Sequence, residues 1–253
     1  MTTTTFPSAA SPAQAARRRV VDAPTRVFHW LFALSFLGAY LTADGERLRL
    51  LHVTLGYTMA GLLAFRVLYG LLGPRQAALS LLWRKLAGLG SWAQAIKTAA
   101  QADASPAVNW RQGQNLFMAL AIVAILVIVL PLTLSGYATY NEWGDFLGGD
   151  WIAEVHEFFG NTVLAAVLAH IAAIVGLSLL RRKNLAAQMV TGRADGPGPD
   201  LAKRNHGWLA ALLLCAVLAY WTWEWRQSPQ GLISPQAISA VLSGQGDDDG
   251  DDD

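Results

Sequence analysis

The chain has 253 residues, 53% of them hydrophobic and 15% charged, with a mean hydropathy of +0.32 and a formal net charge of +1. Apolar residues come in blocks of helix-spanning length, which excludes an ordinary soluble core and indicates a membrane protein. A single cysteine, Cys215 in an apolar block, excludes an intrachain disulfide, a cysteine zinc site and an iron–sulfur cluster built from this chain.

Residues 1–19 are rich in Thr, Ala, Pro and Ser, end in Arg17, Arg18 and Arg19, and are expected to form a disordered cytoplasmic segment. Three arginines before an apolar run resemble the start of a signal peptide. No small-residue cleavage site precedes Asp44 and Glu46, so the first helix is read as retained. Residues 20–226 are read as one all-α domain, a membrane bundle of five transmembrane helices. The expected spans are Arg26–Ala43, Leu51–Leu72, Leu116–Tyr137, Trp151–Leu180 and Trp208–Trp225. The first is short and the fourth long, which predicts tilt or an interfacial extension. Between spans two and three, Leu79, Leu82, Trp83, Leu86, Ala93 and Ile96 recur at helical spacing among Arg84, Lys85 and Lys97, the pattern of an amphipathic surface helix. Residues 227–253 form a polar tail ending in six aspartates between Asp247 and Asp253.

The distribution of charge sets an orientation. Of the nineteen Lys and Arg residues, all but Arg47, Arg49 and Arg226 lie at the amino-terminal end, between Arg66 and Arg111, or between Arg181 and Arg204. Positive charge marks cytoplasmic segments, so the amino terminus is expected inside and the acidic tail in the periplasm.

Four of the five histidines fall in apolar spans: His29, His52, His156 and His170. His156 and His170 share one predicted helix, and their fourteen-residue spacing returns nearly to the same face about 21 Å along the axis. With the expected topology, His29 pairs by depth with His170 toward the cytoplasm and His52 with His156 toward the periplasm. Two stacked bis-histidine sites for haem iron follow. No Cys-x-x-Cys-His is present, so the haems would be held without covalent attachment. A hydrogen-bonding or proton-relay role is the competing reading of any one histidine. Metal transport would call for carboxylates or thiolates near the midplane, and the spans place no acidic residue there. Ala33, Gly56, Gly160 and Ala166 lie one turn deeper than each histidine, small enough for a porphyrin to approach the backbone. Arg66, fourteen residues after His52, is a candidate partner for a propionate of the inner haem, against snorkelling to the headgroups. Arg26, one turn before His29, is a second candidate. Trp143, Trp151, Trp221, Trp223 and Trp225 read as an aromatic belt, and His206 as an interfacial residue.

The run Asp22-Ala23-Pro24-Thr25-Arg26-Val27-Phe28-His29-Trp30 resembles the amino-terminal signature of the prokaryotic b-type cytochromes that include cytochrome b561 and the cytochrome b subunit of nickel–iron hydrogenases. The stretch from His52 through Gly56 to Phe65, Arg66 and Gly70 to Arg75 is similar to the second helix of that family, and His156 and His170 to its paired histidines on helix four. The likeness spans roughly Arg19 to Arg182, and a fifth helix fits the hydrogenase-type branch. It implies a di-haem subunit in a bacterial inner membrane that passes electrons between a quinone pool and an extramembrane redox partner. Expected cofactors are two haem b and a quinone. Expected partners are membrane lipid, quinone and a periplasmic redox protein such as a c-type cytochrome or a hydrogenase, with no nucleic acid. A self-contained superoxide oxidase or metal reductase is the rival reading, and a non-haem transporter or scaffold the third.

Overall fold

The first helix, α1 (Ala23–Leu41), begins where the sequence supplies two start signals. The Asp22 carboxylate accepts the Thr25 N–H at 3.2 Å, and Pro24 sits in the first turn, where no donor is required. Helix α2 (Arg49–Leu72) stops at Gly73 and Pro74, which cannot continue it. After a 3₁₀ turn over Arg75–Ala77 come α3 (Leu79–Leu86) and α4 (Leu89–Gln101). Asn109 caps α5 (Trp110–Tyr140) by accepting the Gln112 N–H at 3.1 Å. The short α6 (Trp143–Leu147) leads to α7 (Trp151–Arg181), α8 (Ala187–Thr191) and α9 (Gly207–Gln227). In this computed structural model the described residues are 17–45, 48–101, 109–147, 149 and 151–228.

Helix α1 packs between α2 and α9, α2 also packs against α5, and α5 runs along α7. The core lies at mid-height. Phe28, Phe32 and Phe36, four residues apart on one face of α1, meet Met59 and Leu62 of α2, Val129 and Leu132 of α5 and Val163 of α7. Val163 is fully buried and stands seven residues from both His156 and His170. Large apolar side chains elsewhere face outward, as on Leu68, Val127, Leu168 and Leu212. That is the surface of a helix bundle dissolved in lipid.

The chain is an all-α, multi-pass membrane bundle. Among the described residues, α2, α7 and α9, together with Gln112–Tyr140 of α5, are long and apolar enough to cross a membrane. Helix α1, at 19 residues, is about 28 Å long, carries Arg26 and His29, and is not among those four. The 31-residue α5 and α7 are each about 46 Å long and exceed a hydrocarbon core of about 30 Å.

Two expectations are corrected. Arg17–Arg19 were expected within a disordered segment, yet they form a strand, β1, antiparallel to β2 (Arg193–Asp195), with Arg17 and Asp195 ion-paired at 3.0 Å. Their partners lie 174 to 178 residues downstream, so local composition gave no sign of order. Residues 1–16 and the acidic tail from 229 onward lie outside the described residues. The single amphipathic surface helix is in fact two, α3 and α4, divided at Ala87 and Gly88. The bundle thus has a basic end, holding β1, β2, α8, the start of α1 and the end of α2. Its opposite end holds the end of α1, the start of α2, the end of α5 and the start of α7.

Candidate functional site

At the opposite end, His52 in the first turn of α2 and His156 in the second turn of α7 face one another. Their ring centroids are 5.9 Å apart and the planes stand at 82°. Each ring is aimed by a backbone carbonyl. His52 Nδ1 lies 2.8 Å from the Ala39 oxygen, and His156 Nδ1 lies 3.0 Å from the Leu132 oxygen. A carbonyl only accepts, so in both rings Nδ1 carries the proton and donates it, which leaves the lone pair on Nε2. That is how a metal-bound imidazole is usually held, with its other nitrogen donating to a carbonyl.

Local sequence explains both aims. Ala39 belongs to the last turn of α1, where its carbonyl accepts from the capping Thr42 through N–H at 3.3 Å and Oγ1 at 3.2 Å, and the His52 ring adds a donor across the gap. The Leu132 carbonyl points along α5 toward residue 136, which is a glycine. A Cβ there would come within 2.7 Å of His156 Cε1, so the missing side chain is what admits the ring.

The two histidines line a cavity of about 710 Å³ together with Gly56, Gly136, Gly160, Met59 and Tyr137, and Arg49, Asp44 and Glu157 stand among its polar walls. A cavity of this size takes a small-molecule cofactor. Nothing would stand within 4 Å of a Cβ at Gly56, so that glycine keeps space open rather than permitting helix contact. Among the described residues no group of three or more His, Cys, Asp and Glu converges. A pair of imidazoles beside open space suits a metal whose remaining ligands come from a macrocycle, and a haem fits these donors.

The second expected pair, His29 of α1 and His170 of α7, lies on two helices that both contribute to the buried core. The Nδ1 atoms of both histidines are buried without a hydrogen-bond partner among the described residues. Arg66 donates from Nη1 to the Ala77 carbonyl at 3.0 Å, at the basic end. Arg26 donates to the Val190 carbonyl at 2.8 Å and, with Trp30 bonded to the Met189 carbonyl at 3.0 Å, fastens α8 to α1. His206 begins α9 in a left-handed conformation, φ 46°, away from both pairs. Trp221 is bonded to Thr58 at 2.8 Å, while Trp143, Trp151, Trp223 and Trp225 are exposed at the opposite end.

Sequence reasoning missed Gly136, the two aiming carbonyls and Arg49. A glycine next to a serine on a helix without histidines carries no signal by itself. Asp22 was noticed only as part of a signature. It is 1% exposed and accepts from Tyr69 Oη at 2.6 Å, which joins α1 to α2 at the basic end.

Neither a characterised protein nor a solved structure matches the chain. The family model described as prokaryotic cytochrome b561 does match it, over residues 20–192, a stretch that contains all four intramembrane histidines. The chain therefore belongs to the prokaryotic cytochrome b561 family, membrane proteins that carry electrons on b-type haem.

Proposed function

We propose that the protein is a di-haem b-type cytochrome of a bacterial inner membrane. It would transfer electrons between the quinone pool and a periplasmic redox protein in a respiratory chain. In this reading α1 is a fifth span, the basic end faces the cytoplasm and the carboxyl terminus the periplasm. The observation that carries it is the His52–His156 pair, two imidazoles 5.9 Å apart with both Nδ1 protons committed to carbonyls.

His52 and His156 would hold the outer haem through Nε2, and His29 with His170 the inner one. The iron supplies the one-electron redox change. The chain does the rest. The Ala39 and Leu132 carbonyls fix the tautomers and ring orientations. Gly56, Gly136 and Gly160 keep the cavity wide enough for a planar group. The buried layer of Phe32, Met59, Val129 and Val163 separates the two histidine pairs and excludes water between them. The opposite end also carries Glu142, Asp145, Glu154 and Glu157, a negative surface that would steer a basic partner such as a c-type cytochrome.

The test is turnover in proteoliposomes, with a quinol as reductant and a basic c-type cytochrome as acceptor on the side of the carboxyl terminus. Transfer that requires both components and slows with salt is the expected result. Turnover with superoxide or a metal salt and no protein acceptor would favour a self-contained oxidoreductase. A chain without haem would leave the transporter reading.

A further inference from the structure

Among the described residues, the cavity beside His52 and His156 has one cationic side chain. Arg49 is the only lysine or arginine among the described residues that line it, three residues before His52 on α2. Its guanidinium carbon stands 5.9 Å from the centre of the Tyr140 ring, at the end of α5, so the charge is held at the cavity mouth between two helices. The position is anomalous for charge distribution. Arg49 belongs to the few basic residues found away from the basic end, and it shares the cavity wall with Asp44 and Glu157. A surface that collects carboxylates does not need an arginine for steering. Asp44 and Glu157 on the cavity wall would also repel any anionic group entering beside them.

A cation at that mouth, one helical turn from a metal-binding imidazole, answers a need of the ligand rather than of the fold. We propose that Arg49 binds a carboxylate side group of the tetrapyrrole held by His52 and His156. This rests on reading that cavity as a haem site and assigns the residue that fixes how the macrocycle sits in it. The planar guanidinium offers a two-pronged match to a carboxylate, and the Tyr140 face holds it in place when the cavity is entered. Tyr40 and Tyr137 line the same mouth and add hydroxyl groups.

The test uses the full chain in lipid nanodiscs, prepared without haem and titrated with iron protoporphyrin IX or with its dimethyl ester, in which both carboxylates are masked. The component lost in His52→Ala reports the outer site. Wild type should bind the free acid about tenfold more tightly than the ester there, the scale of one charge-assisted hydrogen-bonded pair. Arg49→Gln should weaken the acid about tenfold and leave the ester unchanged, and Arg49→Lys should keep part of the preference. Equal weakening of acid and ester by Arg49→Gln would overturn the assignment and point to a lipid-headgroup or packing role. Identical binding of both ligands by wild type and Arg49→Gln would overturn it as well. Absence of any His52-dependent binding would instead remove the reading of the cavity on which the proposal stands.

Discussion

Gly136 of α5 and His156 of α7 are fitted to each other: a single added carbon on the glycine would lie 2.7 Å from the imidazole, while the Leu132 carbonyl one turn earlier holds that ring at 3.0 Å. Gly136→Ala should therefore push His156 off its carbonyl. Loss of that hydrogen bond costs about 1 kcal/mol, so retention of the outer haem should fall several-fold. Gly61→Ala, where nothing stands within 4 Å, should leave it unchanged. Haem dissociation rates of the two variants measure the difference.

At the other end, Tyr69 donates to the buried Asp22 at 2.6 Å and ties α2 to the start of α1. Tyr69→Phe preserves the ring but leaves a carboxylate oxygen without that donor, at a cost of about 1–3 kcal/mol. The thermal midpoint should drop. The double variant Asp22→Asn with Tyr69→Phe should lose less than the sum of the two single losses, because the residues share one interaction.

The arrangement of the spans was legible because long apolar blocks leave little choice: the expected start of α7 and the expected end of α2 coincide with the observed ones. Boundaries slipped where polar residues continue a helix. Asn109 caps α5 seven residues before the expected start, and Pro24 is tolerated inside the first turn of α1. That His52 and His156 face one another could be read from spacing and topology alone. What aims them could not, because backbone carbonyls leave no trace in sequence and Gly136 acts on a helix that bears no ligand. The β1–β2 pairing was hidden for a similar reason, since three residues are too few to show alternation.

Arg66→Leu tests the candidate partner for a propionate of the inner haem. If the Arg66 charge reaches a propionate of the inner haem, its removal takes away a cation that favours the reduced state, and the inner midpoint potential should fall while the outer one stays near its original value. An unchanged pair of potentials would confine Arg66 to its bond with the Ala77 carbonyl.

Orientation is tested by reporters. A fusion after Asp253 should be active in the periplasm, and one inserted near Gln101 only in the cytoplasm. Reversal at both positions would invert the assignment of inner and outer pairs.

The four intramembrane histidines are expected to hold two bis-histidine haems per chain. The decisive measurement is haem content with low-temperature spectra of the purified chain and its His156→Ala and His170→Ala variants. Two moles of low-spin haem b are predicted for the wild type. His156→Ala should lose the component also lost in His52→Ala, and His170→Ala the one lost in His29→Ala. A haem-free wild type, or loss of the same component in both variants by folded protein, would contradict it.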